Sequence, residues 1–157
     1  GRLYGMSTRS AGEAAREQLA FFDLEEWSDH LVESYSHGMK KRLAMGAALM
    51  HSPGVLIVDE PMVGLDPKGA RKVRNLFRDL ARKGMTVFLT THELSTAEAV
   101  CDRIGIIHHG RMTALGSVEQ LGRQIRSPGS HLEEIFLRLT MESEGEERAF
   151  FGIGNEE

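Results

Sequence analysis

Four apolar residues, Val55-Leu56-Ile57-Val58, run straight into Asp59-Glu60-Pro61. A continuous apolar run of this length, rich in β-branched residues, predicts a strand covered on both faces, as in a parallel sheet. Pro61 cannot donate to a sheet ladder, so the strand ends just past the acids. Ligands of open α/β sheets sit outside the carboxyl ends of the strands, where Asp59 and Glu60 are expected to stand. Taken singly, either acid reads as a loop carboxylate in water. As a pair of partly buried like charges, each loses hydration unless something compensates. Mg²⁺ would compensate: Asp59 would hold the ion directly or through water, and Glu60 would face a water molecule and polarise it for attack.

The rest of the chain alternates helix and strand, which makes it an α/β chain. Residues 9–22 predict an amphipathic helix, with Ala11, Ala14, Ala15, Leu19 and Phe22 near one face. Trp27–Ser34 is looser. Ser36-His37-Gly38 breaks the chain before a helix over Met39–Met50, which stops ahead of Ser52-Pro53-Gly54. Asp66-Pro67 opens a helix with a buried stripe of Val73, Leu76, Phe77 and Leu80, closed by Gly84. Met85–Leu89 predicts a second buried strand and Leu94–Cys101 a short helix. Ile104–Ile107 predicts a third strand, paired with Met112–Leu115 across the His109-Gly110 turn. Ser117 with Gln120, and Ser130 with Glu133, have capping-box spacing. The second would start a helix with Leu132, Ile135, Phe136 and Leu139 on one side, an ordinary amphipathic stripe that favours packing on the core over contact with a partner. From Glu142 the chain is acidic and Gly-punctuated, and is expected to be disordered.

Composition narrows the function classes. At 41% hydrophobic and 27% charged, the 157 residues read as a soluble domain or a large piece of one. No apolar run approaches the roughly 18 residues of a membrane span, and no signal peptide is present. A formal charge of −4 gives no global basic field for nucleic acid. Cys101 is the single cysteine and cannot form an internal disulfide. The chain begins with Gly1 rather than Met and reads as a fragment.

Other polar segments have two readings each. Gly64-Leu65-Asp66-Pro67, taken alone, is a loop ending in a helix cap. Ser36-His37-Gly38-Met39 puts a helix N-terminus, a hydroxyl donor and a bare glycine together, which suits an anion such as phosphate. Lys40, Lys41 and Arg42 add positive charge near that end. The same stretch also reads as a Ser-capped helix with a solvated basic first turn. Thr90-Thr91-His92-Glu93 places polar groups after a strand. His30, His37, His51, His108, His109 and His131 read as ordinary surface or structural histidines, without metal-site spacing.

In this order, the segments resemble the ATP-binding-cassette (ABC) family. Tyr35–Met39 looks like its signature motif, Val55–Glu60 like Walker B with the following glutamate, Gly64–Asp66 like the D-loop, and His92 like the switch histidine. The motifs span residues 35–93, and the resemblance extends from about Leu3 through Leu121. It implies a partial P-loop NTPase fold with a mostly parallel sheet core and part of a helical subdomain. The expected organisation is a helical-subdomain remainder and signature helix over 1–50, the C-terminal part of the ATPase core over 51–121, a helical extension over 122–141 and an acidic disordered tail over 142–157.

The resemblance also implies a mechanism. Two cassettes meet head to tail and sandwich two ATP molecules. Ser36 and the Gly38 amide serve the partner's ATP. Asp59 holds Mg²⁺, Glu60 is the general base, His92 contacts the γ-phosphate and links the base to the attacking water, and Asp66 couples the two sites. The implied partners are a second ABC subunit and an integral membrane permease, with no nucleic acid. The implied location is the cytoplasmic face of the membrane, held there by the permease.

Two departures from the family pattern stand out. The usual Leu-Ser-Gly-Gly-Gln signature here reads Tyr35-Ser36-His37-Gly38-Met39, and Met39 has no amide to offer a nucleotide. Variants of this kind look like those of drug- and polysaccharide-efflux exporters. Moreover, the 157 residues contain no Gly-x-x-x-x-Gly-Lys-Ser/Thr loop to cradle phosphates, and no Q-loop can be located. A soluble, non-transport ABC ATPase remains an alternative, although sustained heptads and a basic stripe are missing. So does an interaction-only fragment without ATPase activity. Because the phosphate cradle is missing, isothermal titration of the isolated chain with Mg-ATP is expected to show no micromolar binding.

Overall fold

The computed structural model describes residues 1 and 4–151, with side chains described through residue 141. The fold is α/β and divides into two compact units, Gly1–Thr90 and the chain from Thr91 on.

In the first unit, helix α1 (Thr8–Phe21) starts at Ser7, whose side chain accepts the Ser10 N–H. Two short 3₁₀ turns, Glu25–Trp27 and Val32–Ser34, make up the looser stretch. Helix α2 (His37–Leu49) begins two residues before the expected Met39, because the Ser36 side chain accepts the Met39 N–H and caps it. Strand β1 (Val55–Asp59) is followed by helix α3 (Pro67–Arg82), capped by Asp66 with Pro67 in its first turn. Val73 and Phe77 form the buried centre of α3. Past its end, Met85 N–H returns to the Leu80 carbonyl while Gly84 takes a positive φ of 92°, which turns the chain into strand β2 (Thr86–Thr90).

β1 and β2 pair in parallel, from Val55 opposite Thr86 to Asp59 opposite Thr90. The expectation that this pair is covered on both faces is not met. Leu56 is 3% exposed, whereas its neighbour Ile57 is 73% exposed, with Val55 and Phe88 also exposed. Side chains alternate across a strand, so Val55, Ile57 and Asp59 share one face. Among the described residues, nothing in this unit covers it.

The second unit holds helix α4 (Leu94–Val100), strands β3 (Ile104–His108) and β4 (Arg111–Gly116), helix α5 (Val118–Gln124) and helix α6 (Leu132–Phe151). β3 and β4 form the expected antiparallel hairpin. Its two-residue turn places His109 and Gly110 at φ of 46° and 74°, as the twist of a tight hairpin requires. Ser117 and Gln120 make the expected capping box at α5. Ile106, Leu121, Leu132 and Ile135 lie at the centre of this unit's core. Cys101 packs beside that core, and burial, followed by the nearby Asp102 charge, pushes its thiol up from the ordinary value.

The second capping box is not formed. The Ser130 hydroxyl donates to Glu134 Oε2 at 2.7 Å, and the Leu132 N–H at the start of α6 goes to Glu98 Oε2 on α4 at 3.2 Å. The cap of α6 is therefore tertiary, which local spacing cannot reveal. α6 also continues into the stretch expected to be disordered: its backbone is helical to Phe151, in keeping with several glutamates of good helix propensity. Residues 152–157 of the expected tail lie outside the described residues. The alternation on β1 has a direct test. Leu56→Ala is expected to lower stability by about 2–5 kcal/mol, and Ile57→Ser by no more than about 0.5 kcal/mol, in urea unfolding of this chain.

Candidate functional site

The site begins with the last register pair of the parallel strands. Asp59 and Thr90 stand opposite each other, and the Thr90 hydroxyl donates to Asp59 Oδ1. The ladder continues one step further, with the Glu60 N–H donating to the Thr90 carbonyl at 3.0 Å. Glu60 itself takes a φ of 45°, a left-handed conformation uncommon outside glycine and worth attention where it occurs. From there the chain turns sharply, and the Val63 N–H reaches the Glu60 carbonyl at 3.3 Å. Pro61 and Met62 are buried and anchor the turn.

Asp59 is exposed and Glu60 half-buried, so the expectation of two partly buried acids holds for Glu60 alone. The cause is the pleat: Asp59 lies on the same open face as Val55 and Ile57.

The first turn of α2 sits flush against this loop. A Cβ on Gly38 would meet the Gly64 carbonyl oxygen at 2.7 Å, and one on Gly64 would meet His37 Cδ2 at 2.7 Å. Gly64 also takes a φ of 81°. Gly38, read from sequence as room for a ligand, is thus needed for the approach of helix to loop. Ser36 is exposed at the helix tip, and its oxygen caps Met39. A hydroxyl that accepts there keeps its own proton to donate. Tyr35, the departure from leucine in the signature, is buried, and its hydroxyl donates to the Trp27 carbonyl at 2.5 Å. That bond ties the preceding turns to the start of α2.

The basic triplet does more than lend positive charge. Lys40 Nζ donates to the Glu33 carbonyl at 3.1 Å, and Arg42 Nη1 to the Phe22 carbonyl, past the end of α1, at 2.9 Å. Lys41 Nζ donates to the Glu60 carbonyl, and to the Val63 carbonyl at 3.0 Å. Each cation fastens α2 to a different backbone segment.

Asp66 caps α3, its Oδ1 accepting the Gly69 N–H at 3.2 Å, as the plain reading of that loop expects. The structure therefore brings Ser36, Gly38, Asp59, Glu60 and the Gly64–Asp66 loop into one unit. His92 belongs to the second unit, exposed, two residues ahead of α4. Beside it the Glu93 N–H donates to Thr91 Oγ1, and Thr96 Oγ1 donates to Glu93 Oε2.

Sequence reasoning put Thr90 among the polar groups after a strand and Lys41 in a basic first turn, but missed their contacts with Asp59 and with the Glu60 and Val63 carbonyls. Thr90 could have been found by aligning the two predicted strands so that their polar ends coincide. Lys41 had no local signal, since its acceptors lie 19 and 22 residues away. Among the described residues, no group of three His, Cys, Asp or Glu could hold a metal ion. Oxygen donors suit Mg²⁺, which keeps several waters and uses only one or two carboxylates. Asp59, with one oxygen engaged by Thr90 and its side chain exposed, fits that need.

Comparisons with known proteins bear on the family of the chain. A family model described as "AAA domain, putative AbiEii toxin, Type IV TA system" matches residues 15–98. The linearmycin resistance ATP-binding protein LnrL of Bacillus subtilis (strain 168) is 42% identical over 121 residues, covering 77% of this chain and 39% of that protein. A Nod factor export ATP-binding protein I from Rhizobium sp. (strain N33) is also 42% identical over 121 residues, covering 77% and 40%. The daunorubicin/doxorubicin resistance protein DrrA of Streptomyces peucetius is 40% identical over 127 residues, covering 81% and 38%. The chain thus spans about two fifths of the length of these relatives. Among solved structures, an ATP-binding subunit of an ABC transporter superimposes with a TM-score of 0.81 at 32% identity, covering 88% of this chain and 60% of that one. A post-hydrolysis dimer of the ATP-binding cassette MJ0796 bound to ADP and Pi gives 0.65 at 27% identity, covering 72% and 49%.

The close approach of α2 to the loop sets a stability test. Gly38→Ala is expected to destabilise the chain by about 1–3 kcal/mol through overpacking. Gly54→Ala, where nothing lies within 4 Å, serves as the neutral control in the same denaturant titration.

Proposed function

The chain belongs to the ABC ATPases, and from that premise we propose that it supplies the signature and Walker B part of a transporter's energy subunit. The whole subunit hydrolyses ATP in a head-to-tail dimer and drives export through a membrane permease. The observation that carries the reading is the local assembly at the end of β1. Asp59 is oriented by Thr90, Glu60 follows it on a gripped backbone, and a Ser-capped helix tip abuts the same loop.

In this reading Asp59 holds Mg²⁺, which when bound neutralises charge on the β- and γ-phosphate oxygens. Glu60 accepts a proton from the water whose oxygen attacks the γ-phosphorus. The bond from that phosphorus to the β–γ bridging oxygen breaks, leaving ADP and phosphate. Ser36 and the Gly38 amide donate to the γ-phosphate of ATP held by the partner subunit, at a helix end suited to an anion. Asp66 relays between the two sites, and His92 meets the γ-phosphate. Most of the rate gain comes from positioning and charge stabilisation.

The phosphate loop is proposed to come from a segment outside these 157 residues. The exposed face of β1 and β2 supports this, because it carries both apolar Val55, Ile57 and Phe88 and polar Asp59 and Thr90. A sheet of two strands alone is marginal, and covering that face would bury the apolar side chains beside Asp59. The printed names of the relatives favour export: resistance to linearmycin and daunorubicin, and export of Nod factors. No helix among the described residues is long and apolar enough to cross a membrane, and the permease is proposed as a separate partner. The subunit sits on the cytoplasmic face through that permease.

In the complete protein, Glu60→Gln is expected to preserve ATP binding and slow turnover by at least about a hundredfold. Nucleotide titration and a phosphate-release assay check the two halves of that expectation. Undiminished turnover would remove Glu60 from the mechanism.

A further inference from the structure

We infer that Lys41 is a positioning residue for Glu60, a role that rests on the reading of Glu60 as the general base. Lys41 lies on α2, one turn beyond the Ser36 cap, and its ammonium bonds the Glu60 and Val63 carbonyls at once. Those carbonyls are the first and last of the turn that follows the catalytic strand. The Glu60 backbone is thereby gripped from two sides, its N–H by the Thr90 carbonyl on β2 and its carbonyl by Lys41 on α2.

This grip matters because Glu60 sits at positive φ, where a residue persists only if its surroundings over-determine it. The direction in which a side chain leaves the backbone follows from φ and ψ. A clamp on the residue's own carbonyl therefore aims the carboxylate without touching it. The flush contact of His37 and Gly38 with Gly64 leaves little room for the helix tip to shift without shifting the turn. Lys41 thus fixes the aim of the base relative to the helix end that carries Ser36. Lys40 and Arg42 reach other segments, at Glu33 and Phe22, so neither duplicates this contact.

The test uses the complete cassette with its phosphate loop. Lys41→Met keeps the aliphatic stem and removes the donors. It is expected to lower kcat at least about tenfold, because small displacements of a catalytic group carry large rate losses. The KM for ATP is expected to stay within about twofold, since nucleotide binding is not what Lys41 serves. Lys41→Arg should restore much of the rate. In the Glu60→Gln background, Lys41→Met should give no further loss. Amide exchange at Val63 and Leu65 in the turn should quicken in Lys41→Met while α3 stays protected. If Lys41→Met does not fold, Lys41→Gln, with a shorter reach, carries the same comparison.

A kcat within about twofold of wild type would overturn the inference. So would an equal fractional loss in the wild-type and Glu60→Gln backgrounds, which marks a general structural effect. Turnover that survives Glu60→Gln alone would instead bring down the reading of the base itself, and this inference with it.

Discussion

The parallel pairing of β1 with β2 sets Asp59 opposite Thr90, and the groups around the acids take their places from that register. One residue of slip would send Asp59 and its whole side-chain set to the other face. In register, the Thr90 hydroxyl orients the Asp59 carboxylate, and the Thr90 carbonyl holds the N–H of Glu60. A single residue of β2 thus serves both acids, through its side chain for one and its backbone for the other.

The turn after the strand is then fixed from the opposite side by α2. Two glycines, 38 and 64, make that approach possible, and a third contact, from Lys41, fastens it. All three cations of the basic triplet donate to neutral carbonyls and, while keeping their charge, act as ties between segments. In the proposed role, the helix tip meets an anion through its first-turn N–H groups and Ser36, at the positive end of the helix dipole.

The open face of the parallel pair gives the motif arrangement its context. Apolar Val55 and Ile57 and the Asp59 carboxylate occupy the same face because strand residues alternate strictly. The chain spans about two fifths of the length of these relatives, and among its described residues nothing in the first unit covers that face. The second unit follows its own logic: its hairpin and α5 are locally specified, while α6 takes its cap from Glu98, 34 residues earlier.

The sequence by itself determined the elements and the motifs they carry: the strand ending at Asp59-Glu60, the Asp66-Pro67 helix start, the hairpin at His109-Gly110 and the capping box at Ser117. Each is set by chemistry within a few residues, such as a missing N–H, a short polar cap or a tolerated positive φ. Tertiary structure alone decided which face of β1 lies open, that Ser130 yields the α6 cap to Glu98, that Gly38 serves packing against Gly64, and that Lys41 holds the turn of Glu60. Those outcomes depend on atoms brought together from distant positions, and no local pattern encodes a hydrogen bond whose partner lies 19 residues or more away.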